Sequence, residues 1–116
     1  MNLLPKSLRE KSISNEKIVL PYTDVLEAIE ILNRQNWAVT AWEGWIKYPA
    51  GMISRSFEFP GIDAVTRHQD ECWSDYIERA AAFCKQTIRD SQDMWNEKCS
   101  KCETALFFYI TAVEQS

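Results

Sequence analysis

The sequence predicts an α+β domain: a mostly antiparallel sheet of about four strands with two helices packed on one face. Three stretches carry that expectation. Residues Trp37 to Gly51 hold three of the five tryptophans and read as strand. Residues Asp70 to Glu97 repeat apolar side chains at helical spacing. Residues Thr104 to Val113 form a last strand that is apolar on both faces, as a central strand is.

Residues 1–17 read as an N-terminal arm, and residues 18–116 as a single domain. The arm is polar, with Pro5, Ser12 and Ser14. It is either frayed or carries a short helical turn at Ser7 to Glu10. Ile18-Val19-Leu20 is apolar and stopped by Pro21, so it is an edge strand or a packed lead-in. The first helix is expected to start at Thr23 or Asp24, because Asp24 and Glu27 have the spacing of a capping box. Its apolar stripe is Val25, Ala28, Ile29 and Leu32. It ends over Asn33 to Asn36, where asparagine tolerates a left-handed backbone.

The tryptophan-rich stretch reads as two short strands hinged at Glu43-Gly44. Strict alternation puts Trp37, Val39 and Ala41 on one face and Ala38, Thr40 and Trp42 on the other. Gly44 is expected at a bulge or bend that needs positive φ. Pro49-Ala50-Gly51 is a turn signal, so a hairpin should continue through Ser56. Phe57 to Gly61 reads as a loop, and Ile62 to Gln69 as an irregular connection.

The second helix has the stripe Trp73, Tyr76, Ile77, Ala80, Phe83, Cys84, Ile88, Met94 and Trp95. Asp75, Glu78, Lys85, Arg89 and Asp93 fall on its opposite side. At 1.5 Å per residue it would run roughly 40 Å, so a fray, kink or overhang is expected near its C-terminal end.

A 116-residue chain that is 46% hydrophobic and 26% charged suffices for one domain with its own core. The net charge of −4 and pI of about 5.0 weigh against a nucleic-acid binder and favour a basic partner. No apolar run approaches the roughly 20 residues of a membrane-spanning helix, and no signal-peptide core follows the N-terminal charges. The expectation is therefore a cytoplasmic protein that engages neither nucleic acid nor membrane. Its cysteines Cys72, Cys84, Cys99 and Cys102 are expected as thiols.

Cys99-x-x-Cys102 has the spacing of a zinc or redox pair, but a zinc site needs about two further ligands. Cys72 and Cys84 lie roughly 18 Å apart by helical rise and cannot both join one metal. A redox pair belongs at a helix N-terminus after a strand, whereas this pair follows a helix. Cys84 reads as a small core residue and Cys72 likewise. His68 has Asp70 and Glu71 nearby and reads either as a general base or as an ordinary surface histidine, the commoner case. No catalytic residue, cofactor or metal is expected, and the chain does not read as an enzyme.

Trp42, Phe107 or Tyr109 on a helix-free sheet face would form an exposed apolar patch, whose occupant could be a second copy of the chain in a homodimer. From Glu58 to Glu78, the acids Glu58, Asp63, Asp70, Glu71, Asp75 and Glu78 face a single base, Arg67. Either this is a solvated helix face or it captures a basic protein, with Trp42 and Tyr48 as aromatic anchors.

The segments Leu20-Pro21-Tyr22-Thr23-Asp24-Val25-Leu26-Glu27-Ala28-Ile29-Glu30, Asn36-Trp37-Ala38-Val39 and Trp42-Glu43-Gly44-Trp45-Ile46-Lys47-Tyr48-Pro49 resemble small bacterial immunity proteins of polymorphic-toxin systems. The order of tryptophan-rich hairpin, long helix and aromatic last strand is similar too. The resemblance spans roughly Leu20 to Val113, and its motifs are structural. It implies an α+β protein that binds and blocks a cognate toxin made by the same cell. The alternative is a small redox or metal-binding domain that uses Cys99 and Cys102.

Overall fold

At the centre of the sheet, β2 (Ala38–Lys47) pairs antiparallel with β4 (Ala105–Val113), from Ala38 opposite Val113 to Lys47 opposite Ala105. The short strands β1 (Val19–Leu20) and β3 (Ile53–Arg55) flank this pair, giving the order β1-β4-β2-β3 with every pairing antiparallel. Among the described residues, three helices accompany the sheet: α1 (Lys6–Lys11), α2 (Tyr22–Arg34) and α3 (Trp73–Lys98). The computed structural model describes residues 4–12, 18–51, 53–55, 59, 61–62, 64–98 and 103–115.

The main core lies between one sheet face and the helices. Val25, Ala28, Ile29 and Leu32 of α2 meet Ala81, Cys84 and Ile88 of α3 above Val39, Trp42, Phe108 and Ile110. The expected α+β class, with both long helices on one face, is what the chain forms. Of the two readings of the N-terminal arm, the helical one holds over the described residues 4–12, where α1 includes the expected turn at Ser7 to Glu10. Leu4 and Leu8 are 4% and 2% exposed in the same core, because α1 turns both toward α2. Ile18 to Leu20 takes the edge-strand form, pairing Val19 with Tyr109 and Leu20 with Phe108.

Helix α2 begins at Tyr22, one or two residues before the expected start, and Asp24 lies inside it and is not its cap. Pro21 is its N-cap, with no side-chain cap bond, and Val25 N donates to the Pro21 carbonyl at 2.8 Å. Proline's fixed φ suits this entry, and Asp24 in the first turn complements the helix dipole. The C-terminus closes as the asparagines suggested. Asn36 has φ 65°, Asn36 N donates to Asn33 O at 3.1 Å, and Trp37 N reaches back to Leu32 O at 3.0 Å.

Strand β2 runs unbroken through Glu43-Gly44, so the expected hinge is absent. The irregularity lies between Val39 and Ala41, where Thr40 is an extra residue opposite β4. One inserted residue reverses the alternation, and Val39, Trp42 and Ile46 therefore share the core. Gly44 has a different task from the one expected. Its N–H donates to the Phe59 carbonyl at 2.9 Å, and a Cβ there would stand 2.9 Å from the Phe59 Cβ. Ile62 N then donates to Trp42 O at 3.0 Å and Val65 N to Thr40 O at 2.7 Å. This segment covers the β2 edge beyond the reach of β3.

Helix α3 is continuous over 26 residues. Instead of fraying, its last turns are held by Trp95, whose ring meets Phe59 edge-on with centroids 5.9 Å apart. Two residues of the expected stripe leave the core: Phe83 and Met94 are each 49% exposed. Phe83 stands about 100° around the helix from the fully buried Cys84, which takes it to the rim.

Candidate partner-binding surface

The acids singled out in the sequence divide into three groups. Asp70, Asp75 and Glu78 are exposed at the N-terminal end of α3, where Tyr76, Ile77 and Ala80 pack on Ala38. Glu71 lies among them but is bound within the chain. Glu58 and Asp63 fall outside the described residues. The two proposed aromatic anchors do not join this group. Trp42 is 4% exposed and belongs to the core. Tyr48 is exposed, but β2 carries it about 30 Å from the Ala38 end. The structure thus brings together three of the acids and separates them from both rings.

Glu71 and Arg79 form a two-pronged ion pair, with Nε to Oε2 and Nη2 to Oε1 both at 2.8 Å. The hydrogen bond from Arg79, aided by the His68 backbone N–H, lowers the Glu71 carboxyl from 4.5 to about 2. Arg79 also donates to Thr66 O at 2.7 Å, and its guanidinium lies 5.8 Å from the Tyr76 ring centroid. Tyr76 donates its hydroxyl to Val65 O at 2.6 Å, and Arg67 Nε donates to Glu71 O at 2.8 Å. Together these bonds pin residues 64–72 against the start of α3. Arg79 is therefore an internal clasp, and Glu71 brings no uncompensated charge to the surface.

His68 lies beside this clasp with its side chain 70% exposed, Nδ1 standing 3.9 Å from Glu71 Oε1. Cys84 is fully buried, donates to Val39 O at 3.4 Å, and has its thiol pushed up to about 12 by burial. That is the expected core role and the opposite of an activated nucleophile. Cys72, expected in the core, is instead exposed, because it precedes the first turn of α3, and its Sγ lies 3.3 Å from Ser74 Oγ. Cys99 and Cys102 lie outside the described residues. Among the described residues, no group of three metal-ligating side chains is assembled, and no helix is long and apolar enough to cross a membrane.

On the sheet face away from the helices, Trp45 meets Tyr109 edge-on at 6.3 Å, and the Lys47 ammonium stands 6.0 Å from the Phe107 ring centroid. Phe107 is only 9% exposed and Tyr109 is half-buried, so the expected open apolar patch is much reduced. Trp42 is absent from that face because of the Thr40 bulge.

Sequence reasoning missed the flank of α3 that faces the residue 59–66 segment. Phe83 and Met94 are eleven residues apart, about three turns, so they project from the same side. A cleft of about 280 Å³ beside Phe83 is lined by Val65, Thr66, His68 and Arg79. A second, of about 250 Å³, is floored by Trp42 and Phe59 and walled by Ile62 and Met94. Asp90, Thr87 and Ser91 supply its polar rim. The missing signal was angular: Phe83 and Met94 share a direction that Cys84 and Ile88 do not. Across its exposed positions α3 carries Asp75, Glu78, Asp90, Asp93 and Glu97 against Arg89 and Lys98, so its solvent side is acidic.

No family model, curated protein sequence or solved structure matches the chain.

Proposed function

We propose that the chain is an immunity-type inhibitor: it binds a cognate bacterial toxin through the acidic side of α3 and blocks it by occlusion. The observation that carries this reading is the excess of exposed acids along α3, with Asp70, Asp75 and Glu78 clustered at its start and Glu71 already neutralised by Arg79. An uncompensated acidic face attracts a basic protein and speeds its docking. The similarity of the tryptophan-rich hairpin and long helix to immunity proteins supplies the class of partner. In this reading the chain does no chemistry of its own, and it meets its toxin in the cytoplasm of the producing cell.

The test is capture followed by protection. The tagged protein should retain a basic protein from its source cell, and that protein should arrest growth when expressed alone. Co-expression of the parent chain should restore growth, and a folded Asp70→Lys, Asp75→Lys, Glu78→Lys variant should not. Full protection by that variant would move the binding surface away from α3. Capture of no toxic protein would remove the inhibitor reading.

A further inference from the structure

We infer that the cleft between Trp42 and Met94 is a receptor for one basic side chain, a lysine or arginine of a protein partner, with the Asp90 carboxylate as its counter-charge. The inference rests on the reading of the chain as a binder of a basic protein, and names where that protein inserts an anchor. The cleft floor is apolar and nearly closed, with Trp42 4% and Phe59 3% exposed. Its walls, Ile62 and Met94, offer the hydrocarbon surface along which the stem of a long basic side chain packs. At the rim stands Asp90, the single ionisable group among the described lining residues. One Asp90 oxygen accepts from Gln86 Nε2 at 3.0 Å, and among the described residues no ion pair neutralises it.

Size and charge both select the occupant. A volume of about 250 Å³ falls below the roughly 300–1,000 Å³ typical of cofactor and small-molecule sites, and suits one side chain. An apolar cleft with one carboxylate on its rim is complementary to an aliphatic stem that lies along the cleft and ends in a cation at that rim. The polar groups of the floor are already committed: Trp42 Nε1 donates to Thr87 Oγ1 at 2.8 Å, so no indole N–H is left to hold an anion. The neighbouring cleft offers no carboxylate among its described lining residues, and its Arg79 is already paired with Glu71. The acidic start of α3 would steer the partner, and this cleft would hold it.

The experiment uses the full chain and n-butylguanidinium as probe, with n-butylurea as its neutral counterpart. Titration is followed by two-dimensional NMR at the Trp42 indole N–H and the Met94 methyl. Butylguanidinium should give saturable shifts at both signals, and butylurea should bind at least about fivefold more weakly. Asp90→Asn should weaken butylguanidinium by about fivefold or more, while Asp93→Asn, exposed on the same helix outside the cleft, should leave it unchanged. Equal binding of the two probes, undiminished binding to Asp90→Asn, or no saturable shift would each overturn the proposal. Concentration-dependent shifts at the same signals in the protein alone would make a second copy the occupant, and would also overturn it. None of these results bears on growth protection, so failure of the cleft and failure of the inhibitor reading are read separately.

Discussion

Trp42 of β2 and Thr87 of α3, 45 positions apart, are joined by a hydrogen bond of 2.8 Å from the indole N–H to the threonine hydroxyl. The Thr87 hydroxyl lies 2.9 Å from the Phe83 carbonyl one turn earlier, so it can donate there while accepting from Trp42. A ring that is 4% exposed and edge-on to Phe108 at 5.4 Å thereby has its one polar group satisfied inside the core. Thr87→Val keeps the shape and removes the acceptor. It should destabilise the fold by about 1–3 kcal/mol, and Thr87→Ser should recover most of that. Urea denaturation of the two variants checks it: equal midpoints for valine and serine would show that the bond contributes nothing.

The Glu71–Arg79 clasp sets a pH dependence with a defined sign. Glu71 is held at about 2, against an ordinary value of 4.5, chiefly by the hydrogen bond from Arg79. A depressed carboxyl favours the folded state fully above about 4.5, and this contribution fades as the pH falls through about 2. Glu71→Gln should therefore flatten the fall of stability across that window, and parent and variant should converge at its acid end. Parallel stability curves for the two proteins between pH 5 and pH 2, about the window those values define, would show that the clasp does not act through its charge.

How much of this was readable beforehand follows from the range of each interaction. The stripe of Tyr76, Ile77, Ala80, Cys84 and Ile88 was legible because its period is local. So was the left-handed Asn36, which depends on its own side chain and four neighbours. The bulge at Thr40 was not, because nothing near Thr40 marks it; only the register against Ala112 and Thr111 does. One unseen residue then moved Trp42 from the supposed open face into the core. Glu71 looked like a free acid for the same reason, since Arg79 reaches it only after residues 64–72 fold back on α3. The acids Asp70, Asp75 and Glu78 were rightly placed at the surface, but the cleft under Met94 depends on the path of the 59–62 segment.

Gly61 holds that path. Its φ is 89°, and a Cβ would collide with the Trp42 carbonyl and lie 2.6 Å from Glu43 Cα. Both faults fall on the neighbour of Ile62, whose N–H bonds Trp42 O at 3.0 Å. Gly61→Ala should cost at least about 2 kcal/mol, from backbone strain and a displaced β2 edge. Gly51 supplies the control: its φ is 92°, yet nothing lies within 4 Å of its Cβ position, so Gly51→Ala should cost about 1 kcal/mol from strain alone. Equal melting temperatures for the two variants would show that the contact with β2 is unimportant.

Charges on an exposed helix act mainly before contact, through a field that salt screens over about 8–10 Å. Reversing Asp70, Asp75 and Glu78 to lysine should therefore slow association with a basic partner by roughly tenfold at low salt, with much less effect on dissociation. The parent's association rate should fall steeply as salt rises, and the variant's should not. Glu71 has to be left out of the reversal, because a lysine there would face Arg79 Nε, now 2.8 Å from a carboxylate oxygen, and would unfasten residues 64–72. The three chosen side chains are exposed and hold no hydrogen bond or ion pair among the described residues, so their reversal leaves the core intact. Surface plasmon resonance at several salt concentrations separates the two rates. An unchanged association rate in a variant with the parent's melting temperature would place the steering charges elsewhere. A dissociation rate that rises instead would mean that these carboxylates are buried in the complex, making the start of α3 the contact itself and not only the guide to it.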